Sequence, residues 1–568
     1  MYTTATAFLE ALRDSGIRYI FANLGSDHPA LIEALAEASA EGKPMPRLLT
    51  CPNEMVALSA AHGYAQATGE PQAVFVHVEC GTQALAGAIH NAAKGRVPVL
   101  IFAGASPFTQ EGELRGSRNE FIHWLQDVFD QRGIVRQYMR YDNEIRTGVN
   151  VKQMVYRALQ FATSDPQGPV YLMCAREVME AEVPRHEPQR ACWPRLGAGP
   201  APEEFVESLA AALETARRPL VVTSYAGRDP AAVAELVNLC GRLGIGVVES
   251  VPNFVNYPAD DAMHQGMQGN EPVQNRALAE ADVVLVVDSD VPWIPTVNRP
   301  ADGAAVYHVD VDPLKEQMPL WQLPARHVAR AAAATALRQV NARARETAVV
   351  PERRAHYAAR HAEWRERLAA CEGTDGETIT PEYLTSRIRE LAGPDAIVLN
   401  EGITNYRAIA EHIGVKAPRT MFTSGGGSLG WNGGAAIGFG LAWPGKTIVT
   451  LTGDGSFLFS VPATVHWMAR RYGTPFLQVV YNNGGWRAPK FSMLAVHPDG
   501  YASRAKAEDL GVAFEQPPDY AGIAAAAGGA FGKTVRSAGE LDGALGEALH
   551  AVRVEKRCAV LDVWLPRL

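Results

Sequence analysis

Two short polar loops stand where chemistry could occur. Gly453-Asp454-Gly455-Ser456 follows the apolar run KTIVTL (446–451), and Asn482-Asn483 follows FLQVVY (476–481), with 26 residues (456–481) between Gly455 and Asn482. Both runs read as buried strands, so both loops fall at strand carboxyl ends, where open α/β sheets take their ligands. The interval is long enough for one crossover helix. Glycines let a backbone approach phosphate oxygens, while Asp and Asn supply hard oxygen ligands. The combination suits a diphosphate held through Mg²⁺, which takes one or two protein oxygens and completes its octahedron with phosphate and water. Each loop alone is ordinary turn chemistry; the spacing is what joins them.

At this spacing the two loops resemble the diphosphate-binding motif of thiamine diphosphate (ThDP) enzymes. The chain resembles the pyruvate decarboxylase, acetolactate synthase and benzoylformate decarboxylase superfamily over nearly its whole length. The resemblance implies that Asp454, Asn483 and the carbonyl of Gly485 hold Mg²⁺. It places Gly453, Gly455, Ser456 and, from NEGITN, Thr404 against the diphosphate. In GGGSLGWNGGAAIGF, Gly427 joins the cofactor-binding set and Leu429 is the large apolar residue that forces the cofactor's bent conformer. Glu54, in TCPNEMVALSAAHGYA, matches the glutamate that bonds the aminopyrimidine ring. A carboxylate bonded to a ring nitrogen favours the imino tautomer of the neighbouring amino group, which is then the base for the thiazolium C2 proton.

On the substrate side, Ser26 (FANLGSDHPA) and His77 (VFVHVECGT) match a serine and a histidine that bind substrate carboxylate and shuttle protons in benzoylformate decarboxylase. His28 is a candidate second acid/base group. Trp486, Arg487 and Ala488 follow the metal loop where members of the superfamily line the substrate pocket: an aromatic wall, a cation for a carboxylate, and a small residue leaving room for a bulky acyl group. Some positions depart from the pattern. The middle-domain segment DSDVPWIPTVNRP lacks the second histidine of benzoylformate decarboxylase, and Pro489 stands where pyruvate decarboxylases carry a glutamate. Residues 286–290 read VVDSD rather than a Gly-Ala-Arg segment, so FAD is not expected.

The elements that must position these residues are short β-branched runs alternating with helical periods, the pattern of parallel sheets covered by helices on both faces. The fold class is α/β. Linkers at 186–202 and near 345–378 divide the chain into a pyrimidine-binding domain (1–185), a Rossmann-like middle domain (203–345) and a diphosphate- and Mg²⁺-binding domain (378–568). The charged stretch ERRAHYAARHAEWRERLAA reads as a solvated helix. Seven scattered cysteines without a CxxC pair argue against a disulfide or zinc framework, and a reducing, cytoplasmic setting is expected. A net charge of −9, drawn from 53 basic and 62 acidic residues without long runs of either sign, shows no nucleic-acid footprint. No run of about 18 apolar residues marks a membrane span.

The expected activity is ThDP- and Mg²⁺-dependent decarboxylation of a small 2-oxo acid with release of an aldehyde, as in benzoylformate decarboxylase. Acetolactate-synthase-like carboligation to an aldehyde or keto acid acceptor is the alternative. A catalytically inactive regulatory paralogue is the alternative of another class. A dehydrogenase is suggested by Gly425–Gly430, which formally matches GxGxxG, but the next strand ends in GDGS rather than in a ribose-binding acid. Because Glu54 and the diphosphate motif lie in different domains, the resemblance implies a homodimer as the minimum, with a homotetramer expected.

Overall fold

The computed structural model describes residues 2–270 and 273–567, so the outermost domain limits, 1 and 568, lie outside the described residues. The first sheet comprises β1 (Tyr19–Ala22), β2 (Arg47–Thr50), β3 (Gln72–Val76), β4 (Val99–Ala105), β5 (Tyr141–Ile145) and β6 (Val170–Ala175), in the order β2-β1-β3-β4-β6-β5. The second comprises β7 (Pro219–Thr223), β8 (Gly246–Ser250), β9 (His264–Gln268), β10 (Val283–Val287), β11 (Ala305–Asp310) and β12 (His327–Arg330), ordered β12-β11-β10-β7-β8-β9. The third comprises β13 (Ile397–Glu401), β14 (Met421–Phe422), β15 (Ile448–Gly453), β16 (Leu477–Asn482), β17 (Phe531–Val535) and β18 (Ala559–Trp564), ordered β14-β13-β15-β16-β18-β17. The pairings in all three sheets are parallel.

The first and third sheets share one strand order, and the second has the order of a dinucleotide-type doubly wound sheet. The physical reason these runs are strands is burial on both faces. Every residue of β3, β7, β10 and β13 is buried, which a helix-covered parallel strand requires and an alternating amphipathic strand does not.

The first and third domains meet through two helices, Glu54–Thr68 and Trp431–Ala442. Small residues let the backbones approach: a Cβ on Gly438 would lie 2.1 Å from the Ala60 carbonyl oxygen, and one on Gly63 would lie 2.4 Å from that of Ala435. The His62 ring meets Trp431 edge-on in the same crossing, at a centroid distance of 5.6 Å. Both helices begin at candidate positions from the sequence, Glu54 in one and the residue after Leu429-Gly430 in the other.

The expectation of a solvated charged helix holds for Glu352, Glu363, Arg365, Glu366 and Arg367, which are exposed, and is corrected for the opposite face. Helix Val350–Cys371 buries Val350, Arg353, Tyr357, His361, Trp364 and Leu368. Arg353 is drawn inside because its guanidinium donates to the carbonyls of Leu213 (2.8 Å), Leu243 (3.3 Å), Glu214 (3.1 Å) and Ala216. These are orphan acceptors at the ends of helices Glu203–Thr215 and Pro230–Leu243. Among the described residues no helix is long and apolar enough to cross a membrane.

Candidate active site

The third domain builds a cradle from two adjacent strand ends, since β15 pairs directly with β16. β15 ends at Gly453, and Asp454 opens the short helix Asp454–Phe459. One carboxylate oxygen of Asp454 accepts from the backbone N–H groups of Gly484 (2.8 Å) and Gly485 (3.0 Å), and the other from Gly455 (2.8 Å). Both loop glycines have positive φ, +81° at Gly484 and +152° at Gly485, a backbone closed to most side chains. Burial pushes the Asp454 carboxyl up, against the pull of those three N–H groups.

Asn483 is buried, and its Oδ1 has no hydrogen-bond partner. A buried amide oxygen without a donor is costly unless something else binds it, and a hard cation is such a partner. One carboxylate, one orphan amide oxygen and the Gly485 carbonyl are a donor set that fits Mg²⁺ with phosphate and water. Among the described residues no group of three or more His, Cys, Asp or Glu side chains offers another metal site. Gly455 admits the ring of Trp486, whose Cζ3 would lie 2.2 Å from a Cβ at that position. Trp486 also packs edge-on against Phe514 at 5.0 Å, so it serves as a wall of the cradle. Arg487 donates to the Pro566 carbonyl at 2.9 Å, and Ala488 is exposed. Thr404 sits in the turn after β13, partly exposed.

Leu429 is held by its neighbours. Ser428 exchanges two hydrogen bonds with the Asn91 side chain (2.9 and 2.8 Å), while the buried Glu401 carboxylate accepts from the N–H groups of Gly430, Trp431 (3.2 Å) and Asn432 (2.8 Å). Burial raises the Glu401 carboxyl to about 7, and the three N–H groups act in the opposite direction. Gly427 is exposed beside this anchored loop and Leu429 is partly exposed.

The first domain carries the remaining candidates. Asn53 caps its helix by accepting from the Val56 N–H at 3.1 Å, which puts Glu54 in the first turn. Glu54 is 7% exposed, and its Oε1 accepts from Asn23 Nδ2 at 2.8 Å. His77 follows β3 directly. Its Nδ1 lies 2.6 Å from Asp27 Oδ1 and its Nε2 2.8 Å from Gln126 Oε1. The other Asp27 oxygen accepts from the Val78 N–H at 3.1 Å. Val78 holds φ +36°, strained for a β-branched residue, at the position that presents His77. Gly25 and Gly104 make room: a Cβ on either would lie 2.0 Å from His77 Nδ1 or from Asp27 Oδ2 respectively. The hydrogen bond to Asp27 is the main reason the His77 pKa rises, and His28 and His77 together hold the Asp27 carboxyl far below the usual range despite its burial.

His28 is fully buried behind Asp27, its ring parallel to Phe75 and its Nδ1 2.8 Å from Asp27 Oδ1 and 3.0 Å from the Gly25 nitrogen. It packs into the core against Phe75 and Phe102. Ser26 is partly exposed, and its Oγ lies 3.1 Å from His123 Nε2. Asp27, His123, Gln126, Glu401 and Asp562 were not among the sequence candidates. Asp27 could have been found from its place between Ser26 and His28; His123 and Gln126 lie in an irregular stretch with no period to flag them.

Residues 2–134 match the thiamine pyrophosphate enzyme N-terminal TPP binding domain, residues 206–319 the central domain, and residues 402–563 the C-terminal TPP binding domain. The chain is similar to benzoylformate decarboxylase of Pseudomonas aeruginosa, 26% identical over 496 residues that cover 86% of this chain and 87% of that protein. It is similar to the acetolactate synthase large subunit of Haemophilus influenzae, 23% identical over 496 residues covering 84% of this chain and 82% of that protein. The structure of benzoylformate decarboxylase from Polynucleobacter necessarius shares the fold with a TM-score of 0.80 at 18% identity, covering 100% of this chain and 99% of its own. With all three domains matched in order along the sequence, the chain belongs to the thiamine pyrophosphate enzyme family.

Proposed function

We propose that this protein is a ThDP- and Mg²⁺-dependent decarboxylase of a 2-oxo acid, releasing an aldehyde, with each active site shared by two copies of the chain. The observation that carries the reading is the Asp27–His77 pair beside Ser26. It offers a proton donor and a hydroxyl at the domain edge that also carries Glu54, whose charge acts on His77. Bound ThDP supplies a carbon nucleophile and an electron sink for the electrons left by CO₂. Glu54 bonds the pyrimidine ring, Asp454 and Asn483 hold the metal, Ser26 receives the substrate carboxylate, and His77 moves a proton to or from the reacting oxygen or carbon.

The second copy is supported by what one chain leaves uncovered. Phe121, Leu125 and Phe129 are 77%, 71% and 113% exposed on the segment that also carries His123 and Gln126, and Leu458 and Phe459 are exposed beside Asp454. Apolar surface flanking two half-sites is what a shared interface covers. No flavin is part of the reading. At the β7/β10 switch point, where a nucleotide would enter, Tyr225 packs with a buried Lys315 that pairs with Asp310 (2.5 Å) and Asp290 (2.8 Å).

The test is a panel of 2-oxo acids offered to chelator-stripped protein, with and without ThDP and Mg²⁺, and with and without aldehyde acceptors. Aldehyde formed only with both cofactors supports the reading. Activity retained in verified apoprotein overturns it, and C–C bonded product as the main outcome supports carboligation instead.

A further inference from the structure

The glycine-rich loop Gly425–Gly430 follows β14 and opens helix Trp431–Ala442. In dinucleotide sites that arrangement leaves the N–H groups of a helix start free to bind a phosphate. Here they already hold an anion, and it comes from the chain itself. Glu401, the last residue of β13 and 3% exposed, accepts from the N–H groups of Gly430, Trp431 (3.2 Å) and Asn432 (2.8 Å). A helix start leaves such groups without an intrahelical partner. An ionised carboxylate only accepts, so the direction of all three bonds is fixed. Gly430 stands at the cap because a side chain does not fit there. Its φ is +92°, and a Cβ would lie 2.6 Å from the carbonyl oxygen of Phe459, the last residue of the helix that Asp454 opens.

Leu429 is therefore held between two anchors from different domains. On one side, Ser428 is bonded through its backbone to Asn91 (2.9 and 2.8 Å), and the Gly426 carbonyl accepts from His90 Nε2 at 2.9 Å. Both partners lie on the first-domain helix Ala86–Lys94, where Gly87 makes room: a Cβ there would lie 1.9 Å from Ser428 Oγ. On the other side stands Glu401. Removing its carboxylate leaves three buried N–H groups unpaired and frees Gly430, and with it Leu429, to shift. The Asn91 anchor restrains only the residue before.

We propose that Glu401 is a positioning residue for the cofactor: in the place of a phosphate it fixes the start of helix Trp431–Ala442, and through it Leu429, so that bound ThDP keeps the bent conformer in which its C2 carbon is activated. This rests on the ThDP-dependent reading above, with Leu429 as the apolar support. In the bent cofactor the pyrimidine amino group must reach C2, and a displacement of about 1 Å in such an alignment costs roughly a hundredfold in rate. ThDP affinity, carried by the metal and the diphosphate contacts, has less at stake.

The probe is ThDP with Mg²⁺, and the readout is exchange of the C2 proton into D₂O at saturating cofactor, which needs no substrate. The solution is held at pH 8, above the value of about 7 to which burial raises the Glu401 carboxyl. Glu401→Ala should slow exchange about a hundredfold, while the ThDP Kd from titration calorimetry rises less than about tenfold. Glu401→Gln, whose amide oxygen can keep the Gly430 and Trp431 bonds, should slow it only about tenfold. In a Leu429→Ala background either substitution should add less than about twofold, because the leucine is the route by which Glu401 acts. A role in stability alone would show no such dependence on Leu429. If Glu401→Ala does not bind ThDP, the Glu401→Gln comparison with and without Leu429 decides alone. Wild-type exchange in the Glu401 variants with ThDP bound overturns the inference, as does a full further loss in the Leu429→Ala background. Wild-type protein that does not bind ThDP, or binds it without speeding exchange over the free cofactor, overturns the functional reading and this inference with it.

Discussion

Asn482 on β16 donates its side-chain N–H to Asp562 on β18 at 2.8 Å, and this bond ties the candidate metal loop to the neighbouring strand. Asn482 Oδ1 in turn accepts from the Gly484 N–H at 3.1 Å, and Trp564 Nε1 fixes the second Asp562 oxygen at 3.0 Å. The chain of bonds runs from β18 through Asn482 to the glycine whose N–H meets Asp454. The first asparagine of the pair is a positioning group, and the second, Asn483, is the one with the free oxygen.

Asp562→Ala should therefore weaken Mg²⁺-dependent ThDP binding about tenfold without touching any ligand, the scale at which groups behind a metal's ligands act. Asp562→Asn keeps an acceptor for Asn482 and should lose less. Titration calorimetry reads both, and equal affinity in wild type and Asp562→Ala would show that the loop holds its shape without this anchor.

The two loops were legible in the sequence because each follows an apolar strand run, and β-branched runs buried on both faces leave little ambiguity. Glu54 was singled out by the resemblance, and its place at the start of a helix is explained by the Asn53 cap. Asp562 was not legible: it lies in a strand among the core residues Ala559, Val560, Leu561 and Val563, and only the β16/β18 pairing brings it to Asn482. His123 was not, because its contact with Ser26 depends on the fold of the irregular 106–134 segment. The buried face of the helix Val350–Cys371 was missed for a related reason. Its charge pattern indicates exposure, but Arg353 finds carbonyls from two other helices that no local pattern contains.

Glu54→Gln separates activation from binding. The amide keeps the shape and can still bond Asn23, but it does not favour the imino tautomer of the pyrimidine. Exchange of the ThDP C2 proton into D₂O should slow by two to four orders of magnitude, roughly what loss of acid/base catalysis costs. ThDP affinity should change far less. Wild-type exchange in this variant would remove Glu54 from its role.

The crossing that joins the first and third domains should weaken in acid. His62 is buried against Trp431 with neither ring nitrogen partnered, and burial lowers its pKa to about 3. An unfolded histidine titrates near 6.5, so between about pH 6.5 and 3 the unfolded chain binds the extra proton. The contribution of neutral His62 is fully present above about 6.5 and is lost as pH falls, approaching about 2 kcal/mol by pH 5 at about 1.4 kcal/mol per unit. His466, lowered to about 4, adds in the same direction. Urea midpoints of wild type should fall between pH 7 and pH 5, and His62→Phe should narrow the gap whatever its own stability. An equal gap in both proteins would mean that other groups govern acid sensitivity.

Sharing of the site between copies has a test that loss of function alone cannot imitate. Within one chain, the side-chain bond of Glu54 is to Asn23 of its own domain, the bonds of Asp454 are to Gly455, Gly484 and Gly485, and the Leu429 loop is pinned to Asn91 through Ser428. The Glu54 and Asp454 side chains are thus each bonded within their own domain, and exposed apolar side chains flank both. If two copies related by a two-fold axis bring the halves together, one site of a mixed dimer of Glu54→Gln and Asp454→Ala carries both defects and the other carries neither. Random exchange between equal amounts of the two inactive variants should then restore roughly a quarter of wild-type activity, for independent sites in a two-fold dimer. Subunit exchange is followed in parallel by mass spectrometry of differently tagged chains. Exchange without recovery, or a fully active monomer in sedimentation, would overturn the shared site, because a site built within one chain has no way to combine an intact Glu54 with an intact Asp454 from two defective copies.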